Sequence, residues 1–208
     1  MRTNSKRLVW YTLLAGMLLA CCGCPPNGPE NVIVAKDVNR DTAAAAAHNE
    51  VAIELLGRGD LAGADKEITA ALAADPLFGP AHNSLGILYY KQKNYYDAAR
   101  EFDRAAAIMP RKAEPRYNLG MVREDTGDFA KAAKAYEEAL ALDPASVEVT
   151  ANLARVYVRM NRNDDRTREL LGEVVTRDPR PQWSNWARER LALMGAPKPP
   201  TTEPAPTP

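Results

Sequence analysis

Four prolines, Pro76, Pro110, Pro144 and Pro179, close Ala-rich or Leu-rich stretches at intervals of 34, 34 and 35 residues. A period of this length restricts the chain to architectures in which one small unit stacks on copies of itself. With Pro as position 32, the units are residues 45–78, 79–112, 113–146 and 147–181. Position 7 then carries Val51, Leu85, Leu119 and Leu153, position 8 carries Ala52, Gly86, Gly120 and Ala154, and position 11 carries Leu55, Tyr89, Arg123 and Tyr157. In the second half of the units, position 20 reads Ala64, Ala98 and Ala132, position 24 reads Ile68, Phe102 and Tyr136, and position 27 reads Ala71, Ala105 and Ala139. The last unit needs one extra residue in its turn, between Asn161 and Asp165; Thr167, Leu171 and Val174 then fall into line.

Positions 4, 7, 8 and 11 share one stripe of a helix, and positions 20, 24 and 27 share one stripe of a second. Each unit therefore reads as a helical hairpin. Between the stripes, Gly59, Asn94, Gly127 and Asn161 tolerate the left-handed conformation that stops one helix. Pro then ends the unit, preceded in three of them by Asp75, Asp143 and Asp178, since Asp-Pro starts turns and proline cannot continue a helix. Small residues at positions 8, 20 and 27 let the two helix backbones approach closely, so a large side chain at Gly86, Gly120 or Ala98 is expected to overpack the pair. At the start, Asp41 or Thr42 offers a cap ahead of the alanine run at 43–47.

The segments His82-Asn83-Ser84-Leu85-Gly86-Ile87-Leu88-Tyr89-Tyr90 and Tyr117-Asn118-Leu119-Gly120, each followed by an Ala/aromatic/Ala/Pro series, resemble the tetratricopeptide repeat. The resemblance implies an all-α fold: a right-handed superhelical solenoid of four hairpins over residues 42–181. A capping helix at 182–195 is expected to follow, with Trp183, Trp186, Ala187, Leu191 and Met194 on one face. It further implies that the first helix of each unit lines a concave wall, and that function lies at positions 2, 5, 6, 9, 12 and 13. There Ile87, Tyr90, Tyr117 and Met121 offer apolar or aromatic contact, and Asn83, Asn118 and Asn152 offer amides that both donate and accept hydrogen bonds. Arg155, one turn from Arg159, is positioned to meet an acidic group. Such a wall suits an extended peptide or a partner helix. Family members that bind chaperone tails use Lys and Arg at positions 2, 5 and 6; here Pro80, Asn83, Glu114, Tyr117, Glu148 and Ala151 stand instead, so that clamp is absent.

The first 20 residues form a different regime. Arg2, Lys6 and Arg7 precede an apolar run over residues 8–20, the pattern of an export signal and shorter than the roughly 20 residues a spanning helix needs. Leu18-Leu19-Ala20-Cys21 resembles the lipobox of bacterial lipoproteins, although Leu19 stands where a smaller residue is more usual. The resemblance implies cleavage before Cys21, acylation of Cys21 and membrane attachment through several chains; ordinary secretion is the alternative. Cys22 rather than Asp follows, which favours an outer-membrane lipoprotein facing the periplasm. Residues 21–41 read as the lipidated Cys and a flexible tether, and residues 196–208 as a disordered Pro-rich tail. All three cysteines, Cys21, Cys22 and Cys24, lie before residue 25, so no disulfide framework is expected to hold the repeats.

Loss of Arg2, Lys6 and Arg7 with the leader leaves 24 basic against 27 acidic residues, a net charge of −3, so nucleic acid is not an expected partner. Catalysis, a metal site and a cofactor are not expected either: His48 and His82 recur at position 4 as helix packing residues, without a Cys nucleophile or a phosphate loop. The sequence thus reads as an envelope-anchored adaptor for a protein or peptide partner, similar in build to lipoproteins that assist pilus secretins or outer-membrane assembly. An envelope enzyme, or its regulatory subunit, is the rival reading.

Overall fold

The first and fourth hairpins, and the second helix of every hairpin, start where a side-chain oxygen meets an otherwise unpaired helical amide. The computed structural model describes residues 40–195, and among them nine helices and no strand: α1 Thr42–Arg58, α2 Leu61–Ala74, α3 Gly79–Lys91, α4 Tyr95–Ile108, α5 Glu114–Asp125, α6 Phe129–Leu142, α7 Val147–Arg159, α8 Asp165–Arg177 and α9 Pro181–Gly195. The leader, Cys21, Cys22, Cys24, the tether and the Pro-rich tail lie outside the described residues. Asp41 caps α1 by accepting from the Ala44 amide at 2.9 Å, and Asp60, Asn94, Asp128 and Asp164 cap the second helices in the same way. Helices α3 and α5 instead begin with Pro80 and Pro115, whose missing N–H removes one of the donors that needs a partner.

Within the turns, Gly59, Gly127 and Asn161 adopt the left-handed conformation read from the sequence. Asn94 does not. The left-handed residue there is Lys93, at φ 60°, and Asn94 at φ −82° is the cap of α4. Lys93-Asn94 is therefore the counterpart of Gly59-Asp60 and Gly127-Asp128, and the side-chain amide of Asn94 serves where a carboxylate serves in its neighbours. Asp75, Asp143 and Asp178 hold the turns between hairpins by accepting from the amide two residues on, Leu77, Ala145 and Arg180 respectively. Arg40 clasps the fully buried Asp75 with two hydrogen bonds, of 2.6 and 3.0 Å, and Thr42 adds a third.

Inside a hairpin, the small position-8 residue faces the bulky position-24 residue. A β-carbon on Gly86 would stand 2.5 Å from the Phe102 ring, and one on Gly120 would stand 2.4 Å from the Tyr136 ring. Ala64, Ala98, Ala132, Ala71, Ala105 and Ala139 are fully buried where the paired backbones meet. Thr167, Leu171 and Val174 are fully buried too, so the fourth hairpin keeps the stripe despite its longer turn. Position 10, which the stripe omitted, is also core: Leu88, Val122 and Val156 are buried at 1%, 1% and 0% exposure.

Position 7 departs from its expected burial at one end. Leu153 is fully buried, but Val51 is 45% exposed. Leu85 packs with the α1 and α2 core, Ala52, Leu56, Ala64 and Ile68, and Leu119 packs with Ala98 and Phe102 of α4. Val51 belongs to the first hairpin among the described residues, and none of those residues forms an earlier hairpin over it. At the other end, α9 packs on α8, with Trp183, Trp186, Leu191 and Met194 against the largest core cluster. No described helix is long and apolar enough to cross a membrane.

Candidate functional site

The first helices α1, α3, α5 and α7 are joined by hydrogen bonds that repeat with the period of the sequence. Ser84 Oγ donates to Asn49 Oδ1 at 2.7 Å, Asn118 Nδ2 to Asn83 Oδ1 at 3.0 Å, and Asn152 Nδ2 to the Tyr117 hydroxyl at 3.0 Å. Each pair lies 35 residues apart, so position 6 of one unit is bonded to position 5 of the unit before. A second rung joins position 5 to position 2 of the next unit: Asn83 Nδ2 donates to Glu114 Oε1 at 2.9 Å, and the Tyr117 hydroxyl stands beside Glu148. Burial, with Glu148, pushes the Tyr117 hydroxyl up to about 12, so it stays protonated and able to donate at any physiological pH.

Toward the far ends of the helices the rungs become ionic. Tyr90 donates to Asp125 Oδ2 at 2.6 Å. Glu124, 5% exposed, receives Arg155 through two bonds of 2.7 and 2.8 Å, the Tyr136 hydroxyl at 3.1 Å, and Arg159 at 3.5 Å. A buried carboxylate is tolerated when its lone pairs are taken up in this way. The acid that Arg155 and Arg159 meet is thus the chain's own Glu124. The Arg155 guanidinium also lies 5.0 Å above the Trp183 ring, and Arg180 lies 5.1 Å from the same ring, so α9 is tied to the wall through an aromatic between two cations.

The residues singled out from the sequence fall into two groups. Asn83 and Ile87 join Ile53, Pro80, Met109 and Lys112 around a cavity of about 290 Å³ between α1, α3 and the start of α5. Tyr117, Asn152 and Arg155 belong to the second group with Trp183, and Met121 packs beside them on the same core cluster. Tyr90 stands apart, its ring 5.9 Å from Tyr95. Asn83, Asn118 and Asn152 are buried, Asn118 bonding Asn83 directly, Asn83 bonding Glu114 and Asn152 bonding Tyr117, so these amides hold the wall as well as lining it. Asn49 and Ser84 occupy wall positions 5 and 6 read from the sequence, but that reading did not pair them across units, and it missed Trp183 as part of this surface. The available signal was the offset of 35 residues, which pairs hydrogen-bonding side chains across successive units.

His82, 4% exposed, accepts or donates at both ring nitrogens, to Glu101 at 2.8 Å and to the Pro76 carbonyl at 3.0 Å. His48 makes the same 19-residue contact with Glu67 at 2.7 Å. Both contacts are position 4 to position 23 within a hairpin, a packing arrangement. Among the described residues no group of three His, Cys, Asp or Glu side chains is placed to hold a metal.

Tetratricopeptide repeat sequence patterns match residues 77–145 and 125–185, together just over half of the chain. Among solved structures, Pseudomonas aeruginosa pilF is similar at 24% identity and a TM-score of 0.66, over 74% of this chain and 69% of that one. The first TPR of Spaghetti (RPAP3), bound to the HSP90 peptide SRMEEVD, is similar at 21% identity and a TM-score of 0.57, over 60% of this chain and 99% of that one. A Thermobaculum terrenum O-GlcNAc transferase is similar at 25% identity and a TM-score of 0.59, over 67% of this chain but only 27% of the transferase. No curated protein matches the chain.

Proposed function

We propose that this chain, which belongs to the tetratricopeptide repeat family, is a protein-interaction adaptor of the bacterial cell envelope that holds a peptide or partner helix against the wall formed by α1, α3, α5 and α7. The observation that carries the reading is the wall itself. Its polar side chains are paired across successive hairpins, which fixes Ile53, Ile87, Met109 and Met121 as contact points without leaving buried polar groups unpaired. Preorganisation of this kind lowers the ordering cost of binding. An acidic tail such as the one held by Spaghetti is disfavoured here, because the position-2 places carry Glu114 and Glu148 rather than cations. The contact is read as apolar anchoring with amide and hydroxyl hydrogen bonds at the flanks.

Anchoring through acylated Cys21 at the outer membrane, and service to a pilus, secretion or outer-membrane assembly, are parts of the same proposal. Their support is the leader sequence, together with the fold shared with pilF. The adaptor reading is tested by placing a photo-crosslinking residue at Ile87 or Met121 in cells and comparing with the same residue at the exposed Glu169 on α8. A discrete partner captured only from the wall positions is the expected result; identical captures from all three sites would overturn it. Mass spectrometry of the mature protein decides the anchor: a diacylated or triacylated Cys21 is expected, and an unmodified terminus beyond Cys21 would refute it.

A further inference from the structure

Between consecutive hairpins runs a seam bounded by position 25 of one unit and position 11 of the next. At the seam between the third and fourth hairpins position 11 is Tyr157, 2% exposed. The Tyr157 hydroxyl donates to Glu137 of α6, and the Arg162 guanidinium lies 3.6 Å from the ring centroid. One repeat earlier the same seam has an acceptor and a cation but no tyrosine at position 11. Asp103 of α4 stands where Glu137 stands, and Arg123 of α5 takes the place of the tyrosine.

The consequence is a cavity of about 460 Å³ bordered by Tyr95, Tyr96, Asp103, Val122, Arg123 and Thr126. Tyr96 is 79% exposed beside it. The Asp103 side chain is exposed at the rim and, among the described residues, has neither a hydrogen bond nor an ion pair; partial desolvation raises it above the usual carboxylate range, and Arg123 acts on it only through space.

We propose that the seam between the second and third hairpins receives a tyrosine side chain of a partner protein, its hydroxyl donating to Asp103 and its ring lying between Tyr95, Val122 and Arg123. The charges select the class of side chain. Arg123 opposes an incoming Lys or Arg, Arg100 being already paired with Asp97 and Glu101; Asp103 opposes an acid, and a phenylalanine would cover Asp103 without satisfying it. A phenol supplies both the ring and the proton, as Tyr157 does at the next seam, and offers its face to a guanidinium. The cavity exceeds one ring, which leaves room for the partner's flanking chain. This surface lies on α4 and the α5 flank, away from the amide rungs, so it stands or falls independently of the inner wall.

The test is a titration of the isotopically labelled full-length chain with N-acetyl-tyrosine amide, followed by amide chemical shifts, with N-acetyl-phenylalanine amide as the comparison probe. Shifts at Ala99, Asp103, Val122 and Thr126 are expected, with affinity about tenfold weaker for the phenylalanine probe and for Asp103→Asn, the size expected for one hydrogen bond to a charged acceptor. Arg123→Tyr should fill the seam from within, raise Tm and abolish the shifts, with unchanged circular dichroism confirming the fold. Equal response to both probes, shifts confined to the inner wall, no shift up to the solubility limit, or wild-type shifts in Arg123→Tyr would each overturn the proposal.

Discussion

The first and fourth hairpins share one plan but differ in their cores. In the fourth, Leu153, Ala154, Val156 and Tyr157 are buried between the third hairpin and α8, and α9 closes the far side with two tryptophans in edge-to-face contact at 5.6 Å. In the first, Val51 and Ile53 are 45% and 54% exposed, and the buried apolar residues are mostly alanines: Ala45, Ala52, Leu56, Ala64, Ile68 and Ala71. The same position in the repeat is core at one end and surface at the other. In a stack, burial belongs to the pair of neighbouring hairpins, so stability is a sum over interfaces and the N-terminal hairpin has one interface fewer among the described residues.

The largest expected effect comes from the C-terminal cluster. Tyr136→Ala removes a fully buried ring that stacks on Tyr117 at 5.8 Å and bonds Glu124, and should cost about 3–5 kcal/mol in urea unfolding followed by circular dichroism. Next, Leu153→Ala should cost about 2–5 kcal/mol. Fluorescence of Trp183 and Trp186 should show this loss directly, since both pack on the same cluster. Gly120→Leu should cost about 1–3 kcal/mol by overpacking, because Tyr136 leaves no room for even a β-carbon. A melting temperature equal to wild type would refute the helix approach assigned to that glycine.

A smaller effect is expected in acid. The Arg40 hydrogen bond holds the Asp75 carboxyl below the usual carboxylate range despite its burial, and Arg180 does the same for Asp178. Thr167 holds Asp164 at about 2, first through its hydroxyl and then through its amide. Each folded value is depressed, so each contribution is complete above the unfolded carboxylate value of about 4 and is lost as pH falls through the folded value. Tm should therefore fall below about pH 4, and Asp75→Asn should flatten part of that slope. An unchanged slope would show that the Arg40 contact is not made in solution. The smallest effect closes the comparison: Val51→Ala should change stability by less than about 0.5 kcal/mol. A loss comparable to Leu153→Ala would mean that another segment covers α1.

Much of the hairpin was legible because its signals are local. The cap at Asp41, the left-handed turn residues and the small residues at position 8 all lie within one unit, where a helical period converts spacing into direction; that position 8 faces position 24 came from the structure. Lys93 and Asn94 mark the limit of that reading. Only the chain's path showed which of two adjacent residues takes the left-handed turn, since an Asn satisfies either role. The candidate wall was legible by position but not by state: Asn83, Asn118, Asn152 and Arg155 were placed on the correct helices, while their partners, Glu114, Tyr117 and Glu124, belong to other units. Arg123 carried a further unread signal, as the one position 11 in the chain that bears a charge.

The sequence by itself determined the period, the all-α superhelical fold and the residue sizes that let helices pair, because each follows from side-chain volume and backbone preference along one chain segment. The tertiary structure decided which polar groups are bonded, which arginine is neutralised, which valine is exposed and which seam is left open. Those outcomes depend on distances between residues 19 to 35 positions apart, and such distances are set only when successive hairpins settle against one another.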